Sequence, residues 1–206
     1  MKHTLNVNYF LSNWIILFYA NILLKKSLSK KQSDNIISGI HALGSLYLSF
    51  THNDKHLQWF SSSYFVYDFI QMAISNKINI MKLAYMIHHL SGIYLLLQDP
   101  SEVPIREILF WGELSNLPSY PLYYYLHKNT TLYKNRILFF QIIQQLLYCS
   151  IRIPILTQKL IVYLLTINTY KHLFAIIPVY LMGIIWSLKI LKQNNGYLLT
   201  FIKSNK

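Results

Sequence analysis

The sequence predicts an all-α integral membrane protein, about seven transmembrane helices bundled around a polar central cavity. Three observations predict it. The 206 residues are 53% hydrophobic and only 13% charged, with a mean hydropathy of +0.29, a composition foreign to most soluble domains. Apolar stretches close to the length that crosses a bilayer recur along the chain. Basic residues gather in the gaps between alternate stretches.

The first stretch covers 7–24. It follows Lys2 and His3 as a signal peptide would, but no small-residue cleavage pattern comes after it, and Lys25 and Lys26 follow directly. A retained first span is expected. Further spans are expected at 36–52, 57–75, 79–97, 104–126, 136–157 and 172–191. Pro118 and Pro121 should kink or break the fifth. The segment 158–171, "QKLIVYLLTINTYK", is apolar but short. It reads either as an interfacial segment or as an extension of the last span. Three regions result: 1–35, a first span with a basic loop; 36–195, the helical membrane domain; and 196–206, a basic tail.

The loops give an orientation. With the N-terminus outside, 13 of the 19 basic residues fall on the inner side, so the positive-inside rule places the C-terminus in the cytosol. The net charge of +12 alone would suit nucleic acid, but the basic residues form no stripe. Membrane lipids are the expected partners, and nucleic acid is not. The sequon Asn129-Thr130-Thr131 would lie in the cytosol and stay unmodified. Tyr123, Tyr124 and Tyr125, beside His127 and Lys128, suit a membrane–water interface. Nothing in the sequence sets the oligomeric state.

Helical neighbours lie three and four residues apart, and that spacing finds polar faces inside the apolar spans. Ser38, His41, Ser45 and Ser49 share one face of the second span. Tyr64, Asp68 and Gln71 share one in the third. Tyr85 stands one turn before His88 and His89 in the fourth. Glu113 and Asn116, with Ser115 beside them, mark the fifth. Gln141, Gln145, Tyr148 and Arg152 run along the sixth. Lipid satisfies none of these groups, so they should face one another or a cavity. For the serines and glutamines, hydrogen bonding between helices is the simpler reading. A mid-span carboxylate or arginine costs about 2.5–3.5 kcal/mol on insertion scales, so Asp68, Glu113 and the histidine pair point to a functional cavity. Adjacent residues on a helix diverge by about 100°. One of His88 and His89 is therefore expected to face the cavity and the other a neighbouring helix.

A neutral imidazole can serve as nucleophile or base, with a carboxylate to orient it. His52 and His56 have one spacing used by membrane di-iron sites, but the companion cluster is missing, since Tyr85 stands three residues before His88. No metal is expected. His3, His127 and His172 look peripheral, and the single Cys149 forms no CxxC site. No nucleotide-binding or serine-hydrolase motif occurs.

Five stretches resemble the TLC domain family, which includes the ceramide synthases. They are "SGIHALGSLY" (38–47), "SSYFVYDFIQM" (62–72), "MIHHLSGI" (86–93), "GELSNLPSY" (112–120) and "GIIWSLKIL" (183–191). The resemblance covers most of the chain from about residue 36 and implies a bundle of membrane helices around a central cavity. By its likeness to the synthases, His88 and His89 would be catalytic and Asp68 their partner. Acyl-CoA would then be a co-substrate, with no resident cofactor. The acidic Asp-x-x-Asp arrangement of the synthases is absent: "GIYLLLQDPSEVPIREILF" offers Asp99, Glu102 and Glu107 near a loop. The chain looks closer to the small non-synthase members, which implies an endomembrane protein, of the endoplasmic reticulum or another compartment, that binds, senses or moves lipid. His41, Tyr64, Tyr85, Glu113, Ser115, Asn116, Gln145 and Arg152 would line its cavity. An acyl-CoA-dependent N-acyltransferase is the alternative, and a purely structural membrane protein the third.

Overall fold

The computed structural model describes residues 7–74, 79–100, 102–128, 132–166 and 170–204. These residues are helical, with no strand among them. The helices are α1 (Val7–Leu24), α2 (Lys30–Phe50), α3 (Asp54–Ile74), α4 (Ile80–Leu96), α5 (Ile105–Asn116), α6 (Ser119–Leu126), α7 (Lys134–Leu146), α8 (Ile153–Thr166) and α9 (Leu173–Ser204). A π-helical turn, Leu147–Arg152, joins α7 to α8 without a break.

Local chemistry sets the boundaries. Ser29 caps α2 in a capping box: its Oγ accepts from the Gln32 amide, and the Gln32 side chain accepts from the Ser29 amide. The helix therefore begins six residues before the expected position of 36, and residues 30–35 belong to it rather than to a loop. Asn79 caps α4 through the Lys82 amide. The expected fifth span is broken at Pro118, between α5 and α6. A proline there cannot donate to the preceding turn. The segment 158–166 turns out to extend the sixth span, not the last, because α7, the π turn and α8 form one rod of 33 residues. Pro154 explains the π turn. It cannot donate to the Ser150 carbonyl, and its ring would crowd that group. Widening the turn relieves both. Helix α9 continues to Ser204, so the expected tail is largely helical. The sequon lies outside the described residues.

With α5–α6 and α7–α8 each counted as one rod, the order of packing closes on itself. Helix α2 packs on α3, α3 on α4, α4 on α9, α9 on α7 and α8, and the π turn on α5, which returns to α2. Helix α1 stands outside this ring against α2 and α3. Small residues permit close approach on the α2–α3 seam, where Ser45 Oγ and Ser61 Oγ lie 2.9 Å apart. On the α3–α4 seam Gly92 faces the Phe65 ring, and a Cβ there would sit 2.8 Å from it.

Among the described residues, two stretches are long and apolar enough to cross a membrane: Lys134–Thr166 and Leu173–Asn194. Large apolar side chains are also exposed on other helices, among them Ile15 and Ile16 on α1, Leu43 on α2 and Leu90 on α4. An exterior this apolar is ill suited to water. Helices α2, α3 and α5 fall short on hydropathy for a local reason: each carries a polar face turned inward.

The two ends differ. Where α2–α3, α4–α5 and α8–α9 connect, ion pairs tie the structure: Asp54 with Arg106 at 3.3 Å, Glu102 with Lys171 at 2.7 Å, and Glu107 with Lys159. His172, expected to be peripheral, is buried here. Its Nδ1 lies 3.1 Å from the Tyr94 hydroxyl and its Nε2 3.1 Å from Glu102. The imidazole fits between the α4–α5 connection and the start of α9, which no helical periodicity in the sequence reveals. At the opposite end, exposed Lys25, Lys26, Lys30, Lys31, Lys128 and Arg136 dominate.

Candidate functional site

The helices of the ring line a pocket of about 290 Å³. Helix α1 contributes nothing to it. Along the helix axes its walls change character. Asn35, Tyr120, Tyr123 and Trp186 stand nearest the basic end. A charged and polar belt comes next, and Leu95, Ile105, Leu109 and Met182 follow toward the ion-paired end.

The belt is built from polar faces at three-and-four spacing. On α4, His89 Nδ1 donates to the Tyr85 carbonyl oxygen at 2.8 Å, one turn back on the same helix. Its Nε2 meets Asp68 Oδ2 on α3 at 3.0 Å. The Tyr85 carbonyl fixes hydrogen on Nδ1, and Nε2 is left to share a proton with the Asp68 carboxyl group. Phe65 stands edge-on to the His89 ring at 5.2 Å and fixes its tilt.

His88 also lines the pocket, contrary to the expectation that only one of the two histidines would. The pocket wraps around α4: His89 reaches Asp68 on α3, while Tyr85, one turn before, packs edge-on against Trp186 of α9. A wall that curves around a helix accommodates directions about 100° apart. The two imidazoles are perpendicular with centroids 5.6 Å apart. His88 Nδ1 is buried and has no hydrogen-bond partner among the described residues.

Across the pocket, His41 of α2 stacks face to face on Tyr64 of α3 with centroids 3.8 Å apart. Its Nε2 contacts Ser45 Oγ at 3.0 Å, and its Nδ1 lies 3.8 Å from Glu113 Oε1. The Tyr64 hydroxyl donates to Ser38 Oγ at 2.8 Å. Glu113 Oε2 accepts from Asn116 Nδ2 at 3.3 Å. Asn116 Oδ1 in turn accepts from Arg152 Nη1 at 3.1 Å and from the Tyr148 hydroxyl. The Arg152 guanidinium stands 4.8 Å above the Tyr148 ring, and its Nε is buried without a partner among the described residues. Tyr148 and Arg152, four residues apart in the π turn, both line the pocket.

Two residues expected at the cavity do not line it. Ser115 is fully buried behind the wall, donating to the Gly112 carbonyl oxygen at 2.7 Å and accepting from Arg152 Nη1 at 3.4 Å. Gln145 is only half-buried, and its neighbour Gln144 takes the inner place, donating to Ser119 Oγ of α6 at 2.7 Å. Either residue satisfies a three-or-four spacing from Tyr148 and Gln141, so periodicity alone does not separate them. Four wall residues carry no such signal in the sequence. Tyr120 and Tyr123 sit in an aromatic run that suits an interfacial belt, Asn35 sits in a polar stretch that suits a loop, and Trp186 sits in an apolar run. Among the described residues, no three His, Cys, Asp or Glu side chains converge as a metal site.

Comparison with protein-family models, with characterised proteins and with solved structures finds no match for this chain. Function must therefore be inferred from the chemistry of this pocket.

The pocket combines three capabilities. It holds a partly buried histidine–aspartate contact, and, without a partner among the described residues, an arginine donor and a buried imidazole nitrogen. Two basic side chains, His89 and Arg152, and two acidic ones, Asp68 and Glu113, face it together.

Proposed function

We propose that this chain is a multi-pass membrane protein of TLC type that binds, senses or moves a lipid. In this reading the seven rods are seven spans around a central cavity, the N-terminus is outside or lumenal, and the C-terminus is cytosolic. The observation that carries the reading is the graded pocket: a polar belt of both basic and acidic side chains continuous with apolar walls, inside a bundle whose exterior is itself apolar. An amphiphile matches that gradient end for end. Basic and acidic side chains side by side suit a zwitterionic or uncharged headgroup, with Arg152 Nε as a donor and His88 Nδ1 as a donor or acceptor, neither having a partner among the described residues. An endomembrane location, in the endoplasmic reticulum or elsewhere, follows from the TLC resemblance.

Native mass spectrometry of the detergent-purified protein tests the reading. A co-purified lipid that leaves on denaturation, and whose occupancy falls in Arg152→Ala, is the expected result. A wild-type protein that carries no lipid after extraction in mild detergent, and takes none up from vesicles, would end the lipid reading.

One observation favours a second reading, acyl transfer. His88 Nδ1 is unpartnered, and the adjacent His89–Asp68 pair could handle a proton. The imidazole nitrogen would attack an acyl-CoA carbonyl and expel the CoA thiolate, which takes up a proton. The acyl-imidazole would then pass its acyl group to an amine or alcohol, whose proton is released as His88 is restored. Intact mass after incubation with a long-chain acyl-CoA distinguishes this reading: it requires a covalent acyl adduct that disappears in His88→Ala.

A further inference from the structure

A second, narrow void of about 30 Å³ lies between α5, α8 and α9. Four of its wall residues, Leu95, Ile108, Leu156 and Val179, also line the polar pocket. The two spaces therefore share a wall, and the narrow one lies beside the apolar end of the wide one. From there it runs past Leu160 and Ile176 toward Tyr163 and Lys159. Leu160 is only half-buried, so this wall reaches the outside of the bundle.

The outer rim has one polar closure on each side. Lys159 lines the void and forms an ion pair with Glu107 of α5, both side chains being partly exposed. Across from it, the hydroxyls of Thr157 on α8 and Tyr180 on α9 meet at 2.8 Å. The Lys159–Glu107 pair bridges α5 and α8 where their apolar faces are separated by the void.

We infer that the α5–α8–α9 seam is the portal through which the hydrocarbon chain of a membrane lipid enters and lies, with the Lys159–Glu107 pair as its clasp. This rests on the lipid reading of the polar pocket and goes beyond it by assigning the chain's place and route. The occupant is a hydrocarbon chain because seven of the ten wall residues are leucine, isoleucine, valine or proline, the polar-tipped ones being Lys159, Tyr163 and Tyr180. The route is lateral because the seam opens on a bundle exterior that is apolar at Ile161, Ile177 and Leu181. The void is narrow, so admitting a chain requires α5 and α8 to part. The clasp opposes that movement. Partly exposed ion pairs are weak, which suits a contact that must open repeatedly.

The test uses the full chain in phosphatidylcholine vesicles that carry a trace of phosphatidylcholine with a diazirine in one acyl chain. After brief illumination, labelled peptides are mapped by mass spectrometry. The expected result is label on the passage residues Ile108, Leu156 and Val179. Leu160→Trp, which fills the passage, should lower that labelling at least fivefold. Glu107→Gln, which loosens the clasp at a surface position, should speed its onset severalfold without lowering its final level. Label confined to outward residues such as Leu90 and Leu188, and unchanged in both variants, would overturn the portal. Retained lipid in native mass spectra, with no label in the seam, would refute the portal while leaving the lipid reading intact. Absence of retained lipid would refute the reading beneath it. Should Leu160→Trp fail to fold, wild-type mapping and Glu107→Gln decide the question by themselves.

Discussion

Asp68→Asn and Asp68→Leu together probe the contact at the centre of the site. Two unit charges at the observed 3.0 Å attract by about 5 kcal/mol at an effective dielectric of about 20. Desolvation offsets much of this, and the Asp68 side chain retains 28% exposure, which screens it further. A charge-assisted hydrogen bond under such conditions nets about 1.5–3 kcal/mol. Asparagine keeps a partner for His89: the ring sheds its Nε2 proton and accepts from the amide, while Nδ1 still donates to Tyr85. That neutral bond is worth about 1 kcal/mol, so Asp68→Asn should cost about 1 kcal/mol. Leucine leaves Nε2 facing nothing and should cost about 2–3 kcal/mol. Reversible unfolding in mixed micelles supplies the free energies, and a cycle with His89→Gln isolates the pair. Coupling of about 1 kcal/mol or more is expected. Additivity within about 0.5 kcal/mol, or equal costs for asparagine and leucine, would show that the contact carries no stability.

Four further outcomes are expected. Gly92→Ala sets a Cβ 2.8 Å from the Phe65 ring, and because Phe65 packs on both His41 and His89, thermal unfolding should show a loss of about 1–3 kcal/mol together with weaker lipid retention. Arg152→Lys keeps the charge but not the fork that reaches Asn116 and Ser115, and lipid titration should read a roughly tenfold weaker affinity, about 1.4 kcal/mol. Hydrogen bonds from Lys171, then from His172, hold the Glu102 carboxyl below its ordinary value of 4.5. Its stabilising contribution is present above that value and is lost as pH falls through the lower folded value, so Glu102→Gln should flatten the acid limb of a stability profile below about pH 4.5, and an unchanged limb would contradict the contact. Asn129 should remain unglycosylated in cells with a secretory pathway, while glycan on it would reverse the proposed orientation.

Much of the helical layout is readable in the sequence, and so is the polar belt. His41, Asp68, His88, Glu113, Asn116 and Arg152 stand out because ionisable or amide groups at three-and-four spacing in apolar helices are too costly to leave against lipid. The starts of α1 and α4 follow from the ends of apolar runs. Other features depend on contacts between distant segments. The start of α2 is fixed by a capping box inside a polar stretch that hydropathy treats as loop. The curvature of the pocket around α4, which brings in both histidines, arises from α3 and α9 packing on that helix together. Burial of His172 needs Tyr94 and Glu102, seventy or more positions away in sequence. The π turn has one visible cause, Pro154 in the middle of an apolar run, but its place and length depend on the backbone around it.

Closure of the ring between α4 and α9 bears on how the protein is made. On the multi-pass reading proposed above, a chain that emerges from the ribosome in order brings α4 into the bilayer with His88 and His89 long before the helix that walls them off exists. Until α9 arrives, those imidazoles and Asp68 face lipid or whatever insertion machinery shields them. Assembly must therefore be completed late and all at once, and a polypeptide that stops short of α9 would be left with an open polar furrow, the kind of defect by which cells recognise unfinished membrane proteins.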